Sequence, residues 1–211
     1  MEAMTLREIL QATGGTLLGT MVDLDTQVGS VDTDSRAMTE GALFVPLVGE
    51  RFDGHAYIGK SLENGAVGTL TDHELADYRP DKFYVLVPDT LLALGDLAAY
   101  YRSKFDVKII AVTGSVGKTT SKDMAAAVLS QKFRVLKTDG NFNNNIGVPK
   151  TLFRLSHEHQ VAVVEMGMNH VGEIALPVRM PPSSPTSVTP TLKIWAAERT
   201  LSWLRRRCST A

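Results

Sequence analysis

The run from Val107 to Thr120, VKIIAVTGSVGKTT, constrains this chain more than any other stretch. Val107, Ile109, Ile110 and Val112 make a short β-branched series, which predicts a buried strand. The series stops at Gly114, and Gly117-Lys118-Thr119 then opens a stretch of helical character from Ser121 to Gln131. Strand, glycine loop, Lys-Thr and helix make the layout of a phosphate-binding loop. Glycines let a backbone curl until several N–H groups point at one anion. A helix N-terminus adds its positive end. Thr113, Gly114, Ser115, Val116, Gly117, Lys118, Thr119 and Thr120 are therefore the expected phosphate cradle. Lys118 is expected to bring a full charge to the β/γ-phosphates of a nucleotide such as ATP, and the Thr119 hydroxyl to sit on Mg2+. The general pattern G-x-x-x-x-G-K-[ST] wants a glycine where this chain has Val112. The competing reading is an ordinary strand–turn–helix with a capped start.

With 211 residues, one or two domains are expected, and a 44% hydrophobic content supports a sizeable core. The formal net charge of −1 gives no electrostatic case for nucleic acid. No apolar run is long enough to span a bilayer, and the start does not have the pattern of a signal peptide. A single cysteine, Cys208, excludes an internal disulfide framework, so a reducing cytoplasm is the simplest expected home. A monomer is the expected state.

Two units are expected. In the first, residues 1–105, Leu6 to Leu10 has helical spacing and stops at Gly14-Gly15. Val28 to Thr33, Ala42 to Leu47, Ala66 to Leu70 and Phe83 to Val87 read as strands. Tyr57 to Asn64 reads as a short helix, and Asp89 or Thr90 caps another that runs to about Lys104. This is a small α/β unit. In the second, residues 106–175, Phe133 to Leu136 is a strand, Asn141 to Gly147 a turn-rich loop, Pro149 to Leu155 a helix start, and Val161 to Glu165 a continuous apolar strand ending in an acid. Strands alternating with helices predict a parallel sheet covered on both faces. Ligands then sit at the carboxyl ends of the strands, where both Gly114 and Glu165 fall.

Glu165 at that place is a candidate to hold Mg2+ beside the loop, since hard cations take oxygen ligands; the bland reading is a solvated acid. Asp53-Gly54-His55 reads first as turn chemistry, and a lone histidine there as structural. Asp34-Ser35-Arg36 is either an anion site, because Arg forks onto phosphate, or a capped turn with a surface Arg. Asn143-Asn144 and Asn169-His170 lie near the expected ligand face, although asparagine clusters usually mean turns.

These segments taken together resemble the Mur ligase family. The matching features are Asp34-Ser35-Arg36, GALFVPLVGERFDGHAYI (41–58), TGSVGKTT (113–120), NFNNNIGVPKTL (141–152) and VVEMGMNHVGEI (163–174). The family's loop is T-G-[ST]-x-G-K-T, which accommodates Val112. The Asn-rich loop and Glu-Met-Gly-Met-Asn favour the member that joins D-alanyl-D-alanine to UDP-N-acetylmuramoyl-tripeptide over the neighbour that adds the third amino acid. The resemblance implies a small UDP-sugar-binding α/β domain followed by the first part of an ATP-binding central domain. It implies Lys118 as the phosphate clamp, Thr119 on the ATP-bound Mg2+ and Glu165 on a second Mg2+. It also implies Ser35 and Arg36 near the nucleotide-sugar, and Asn143, Asn144, Asn169 and His170 near the tripeptide or its acyl phosphate.

The resemblance stops at about Ala175. Residues 177–190 hold five prolines, followed by Trp195, Trp203 and Arg205-Arg206-Arg207. The expectation is a tail, 176–211, translated in a shifted frame. Joining the last base of each codon to the first two of the next lets Thr189 to Glu198 be read as DAHIENLGSR. Continuing through Thr210 allows EDIVLAKAEMFYS, and reading upstream allows ARPHAAVVTNVG. The string is similar to the family's continuation, including an Asp-Ala-His segment and an Ala-Lys-x-Glu segment whose lysine, by resemblance, is carbamylated to hold Mg2+. The third domain would be missing, the second sheet unfinished with an unpaired edge, and the chain inactive. A basic amphipathic tail is the competing reading.

Overall fold

The structure, a computed structural model, describes residues 1–19 and 22–167 and the backbone of 193–196. The chain opens with β1 (Met4–Thr5) and α1 (Leu6–Thr13). A capping box fixes the helix start: Thr5 Oγ1 accepts from the Glu8 N–H at 3.2 Å, and Glu8 Oε2 accepts from the Thr5 N–H at 2.9 Å. There follow β2 (Thr16–Leu18), β3 (Gln27–Val28), β4 (Ser30–Asp32), β5 (Ala42–Phe44), β6 (Val48–Gly49) and β7 (Phe52–Asp53). A 3-10 turn (Gly54–Tyr57) leads into α2 (Ile58–Glu63), then β8 (Ala66–Thr71), β9 (Phe83–Leu86) and α3 (Thr90–Ser103). Asp89 caps α3 by accepting from the N–H groups of Leu91 and Leu92.

Five strands build the first sheet in the order β2-β9-β8-β5-β4, parallel except where β2 meets β9. The expected single strand from Val28 to Thr33 is divided at Gly29. Its first part, β3, pairs with β1, and its second part, β4, joins the main sheet. The β6–β7 hairpin was not anticipated, because strands of two residues carry no readable alternation.

The second sheet and the helices between its strands comprise β10 (Lys108–Thr113), α4 (Lys118–Leu129), β11 (Val135–Lys137), α5 (Gly147–Leu152), β12 (Val161–Glu165) and β13 (Lys193–Ala196). Its order is β11-β12-β10-β13, parallel throughout. The expectation of an unpaired edge is corrected here. Residues 193–196 pair with β10 in the register Ile110 to Lys193 through Thr113 to Ala196, so that β10 lies inside the sheet and β13 takes the edge. The β12 bounds agree with the sequence reading, because a strand buried on both faces is a continuous apolar run.

One hydrophobic core runs through both sheets. Leu97, Ala98 and Tyr101 of α3 pack with Phe105, Val107, Phe153 and Leu155. The buried Tyr101 hydroxyl accepts from the Glu2 N–H at 2.8 Å and donates to the Leu155 carbonyl at 2.7 Å. An ion pair between Asp32 and Lys150 at 3.0 Å adds a second tie, between β4 and α5.

Candidate functional site

The parallel pairing of β10 with β12 places Val112 opposite Glu165, so the loop after β10 and the acid at the end of β12 emerge side by side. The loop turns into α4 through Gly117, whose φ of 75° lies in the left-handed region that a side chain would disfavour. Ser115, Val116 and Gly117 are exposed ahead of the first turn of α4, so backbone N–H groups and the positive helix end open to solvent. The Lys118 ammonium folds back over this loop and donates to the Gly114 carbonyl at 2.7 Å. An ammonium has three donors, so two remain for a ligand.

Glu165 is the hub. Its side chain is 1% exposed. Oε1 accepts from the Thr119 hydroxyl at 3.3 Å and from Asn143 Nδ2 at 2.8 Å. Oε2 has no hydrogen bond among the described residues; it faces Lys122 Nζ at 3.6 Å, beyond hydrogen-bond length but close enough for an ion pair. The Thr113 hydroxyl, at the end of β10, is also buried without a partner among the described residues. Two unsatisfied oxygens beside an exposed ring of N–H groups are what a site for a cation and a phosphate leaves when read from protein atoms alone.

The structure thus joins Thr119 and Asn143 to Glu165 by direct hydrogen bonds, with Thr113 and Lys118 on the strand end and loop beside them. Asn144 plays the plainer role: its Oδ1 accepts from the Ile146 and Gly147 N–H groups at 3.2 and 2.8 Å and shapes the entry to α5. Gly147 is required there, since a Cβ would sit 2.5 Å from the Phe142 carbonyl carbon. Asn169 and His170 lie outside the described residues. Lys122 and Thr138 were missed. Lys122 is buried and also donates to the Gly140 carbonyl at 3.1 Å, and the Thr138 hydroxyl accepts from the Glu165 N–H at 3.0 Å. The available signal was spacing: Lys122 lies one helical turn beyond Lys118, on the same face.

Ser35 and Arg36 are not part of this cluster of contacts. Ser35 is buried, and its carbonyl accepts from Asn64 Nδ2. The exposed Arg36 guanidinium grips both oxygens of Asp34 at 2.9 and 2.8 Å. These hydrogen bonds, with one from the Arg36 N–H, hold the Asp34 carboxyl well below the usual carboxylate range. A lowered folded value means the contribution to stability is present above the unfolded value and lost only as pH falls through the folded one. NMR titration is expected to find Asp34 ionised after ordinary aspartates have protonated, and Arg36→Ala to move its midpoint back toward theirs. Coincident midpoints in the two proteins would contradict this.

Comparison with known proteins adds the family. The sequence model of the "Mur ligase family, catalytic domain" matches residues 27–102, and that of the "Mur ligase middle domain" matches residues 112–183. A relative from Synechocystis, named UDP-N-acetylmuramoyl-tripeptide--D-alanyl-D-alanine ligase, is 48% identical over 152 residues, which is 72% of this chain and 34% of the relative. One of the same name from Escherichia coli is 44% identical over 180 residues, covering 85% of this chain and 38% of the relative. The chain therefore spans little more than a third of the length of these relatives. Among solved structures, MurF from Acinetobacter baumannii superposes with a TM-score of 0.78 at 38% identity, covering 85% of this chain and 40% of that one. MurF ligase from Thermotoga maritima in complex with ADP gives a TM-score of 0.64 at 33% identity, covering 74% of this chain and 35% of that one. With both sequence models matched in order along one chain, and with these identities, the protein belongs to the Mur ligase family.

Proposed function

We propose that this chain carries the nucleotide-sugar-binding and phosphate-binding portions of an ATP-dependent ligase that joins D-alanyl-D-alanine to UDP-N-acetylmuramoyl-tripeptide. The observation that carries the reading is the convergence of Thr119 and Asn143 on the buried Glu165, beside the Lys118 loop. In this reaction the γ-phosphoryl of ATP passes to the terminal carboxylate of the tripeptide. The amine of the dipeptide then attacks the acyl phosphate, and phosphate leaves as the amide forms.

Residues 113–120 cradle the triphosphate, and Lys118 supplies positive charge to its outer oxygens. The donor set around Thr119 and Glu165 is all oxygen, with one carboxylate oxygen free of hydrogen bonds, and so fits Mg2+. When bound, Mg2+ neutralises charge on the phosphate oxygens. Asn143 orients the Glu165 carboxylate. Residues 1–105 form the UDP-sugar side, with Ser35 and Arg36 at its nucleotide-sugar end, and 106–175 the ATP side, with Asn144, Asn169 and His170 toward the tripeptide. Residues 176–211 are a shifted-frame tail that leaves the ligase reaction incomplete, although the middle-domain match runs to residue 183, a few residues past the expected break.

The chain as it stands is therefore expected to bind MgATP without ligase turnover. Calorimetry of MgATP binding is the test. Lys118→Ala removes a charged hydrogen-bond donor worth about 1.5–3 kcal/mol, a loss of roughly 10- to 150-fold in affinity. Equal binding by wild type and variant would refute the phosphate role. ATP hydrolysis that depends on both tripeptide and dipeptide would refute the inactivity.

A further inference from the structure

Away from the phosphate loop, a second cluster of chemistry-bearing side chains is built at the end of β8. Asp72 and His73 follow that strand directly, and His55 reaches them from the 3-10 turn. One donor atom from each of His55, Asp72 and His73 lies within 4.8 Å of the other two. The His55 side chain is 5% exposed and approaches Asp53 Oδ1 through Nδ1 at 2.6 Å. A carboxylate at that distance favours the tautomer with its proton on Nδ1, which leaves Nε2 as the acceptor, the arrangement by which an outer carboxylate orients a metal-binding imidazole. Nε2 accepts from the Asp72 N–H at a long 3.4 Å and also lies 3.2 Å from Asp72 Oδ1, a second acceptor. The approach of two acceptors this close becomes favourable when a positive charge lies between them.

We propose that His55, Asp72 and His73 form a three-ligand site for a late first-row divalent cation, with Asp53 as the residue that positions His55. Two imidazole nitrogens and one carboxylate oxygen suit zinc and its neighbours better than magnesium or calcium. Ligands about 2.0–2.1 Å from a tetrahedral zinc lie roughly 3.3 Å apart. His55 and Asp72 already have that spacing at 3.2 Å. His73, at 2.5 Å from Asp72 Oδ1, sits too close and must swing outward. Its side chain is 53% exposed, so it has room to do so. The exposed side also leaves the fourth position to water. The ion would pin the 3-10 turn to the end of β8, so its role is in the architecture of the first sheet and is independent of nucleotide binding.

The alternative occupant is a proton, which makes His55 an imidazolium between Asp53 and Asp72. Titration of the full chain with Zn2+ and Co2+, with Cys208→Ser in every variant to remove the thiol, separates the two. One Zn2+ per chain is expected. His73→Ala, at an exposed position, should weaken binding at least about tenfold and abolish the visible absorption of the Co2+ form. Asp53→Asn keeps all three ligands and should weaken binding about 10- to 100-fold. His157→Ala should change nothing. Absence of Zn2+ uptake by the parent chain, equal affinity in His73→Ala, or loss in His157→Ala instead would each overturn the proposal.

Discussion

Lys122→Met is expected to destabilise the chain by about 3–5 kcal/mol, the cost of breaking a buried ion pair from one side. The Lys122 and Glu165 side chains are 2% and 1% exposed, with Nζ and Oε2 3.6 Å apart. Met nearly matches the lysine stem in shape, so packing is kept while the charge and the hydrogen bond to the Gly140 carbonyl are removed. The Glu165 carboxylate then stays in the interior with the hydroxyl of Thr119 and the amide of Asn143 but without its cation. Urea unfolding is the measurement. Lys137→Met is the control. Lys137 pairs with Asp123 at 2.7 Å, but both side chains are 47% exposed, so its loss should cost under about 1 kcal/mol. Adding Glu165→Leu to Lys122→Met should recover much of the loss, because a buried pair replaced as a unit by apolar groups is often near neutral. If Lys122→Met and Lys137→Met fell together within 1 kcal/mol of the parent, the buried pair would not be structural.

That pair also shows where the sequence was legible and where it was not. The Val107–Thr120 run carried its own punctuation: β-branched residues, a glycine stop, then Lys-Thr at a helix start. It was readable because every signal lies within a few residues. The meeting of Thr119 with Glu165 was readable as topology, since adjacent parallel strands bring their carboxyl ends together. Lys122 was not readable. A lysine in a helix is ordinarily solvated, and only the carboxylate across the sheet makes its burial sensible.

The same holds for ties between the units. Asp32 and Lys150 are 118 positions apart, and although Asp32 also accepts from the Thr33 and Asp34 N–H groups, nothing near either residue in the sequence points to the other. Arg36 is the reverse case. Its partner lies two residues away, so the Asp34–Arg36 contact itself is legible in the local sequence. The short strands β1, β6 and β7 went unread for a different reason. Two residues hold too little pattern to distinguish a strand from a turn, and pairing partners alone define them.

Tyr101→Ala is expected to cost about 3–5 kcal/mol or more and to loosen both sheets at once. Tyr101 is fully buried and packs edge-on against Phe105 at 4.9 Å and tilted against Phe153 at 5.7 Å. Its hydroxyl satisfies the Glu2 N–H and the Leu155 carbonyl, so truncation leaves a cavity and strands two backbone groups. A sequence divided near residue 105 suggests that the first unit can fold by itself. The core argues otherwise, because α3 belongs by chain order to the first unit and packs against both α1 of that unit and α5 of the second. Separate melting of the units would confine the damage to one transition, whereas a shared core moves every probe together. Tyr101→Phe isolates the hydrogen bonds: the ring contacts remain, and the expected loss is about 1–3 kcal/mol. Hydrogen exchange followed at amides of β8 and β12 distinguishes the cases. Equal acceleration at both in Tyr101→Ala is the result expected of one cooperative core, and acceleration at β12 with β8 still protected would show two that fold independently.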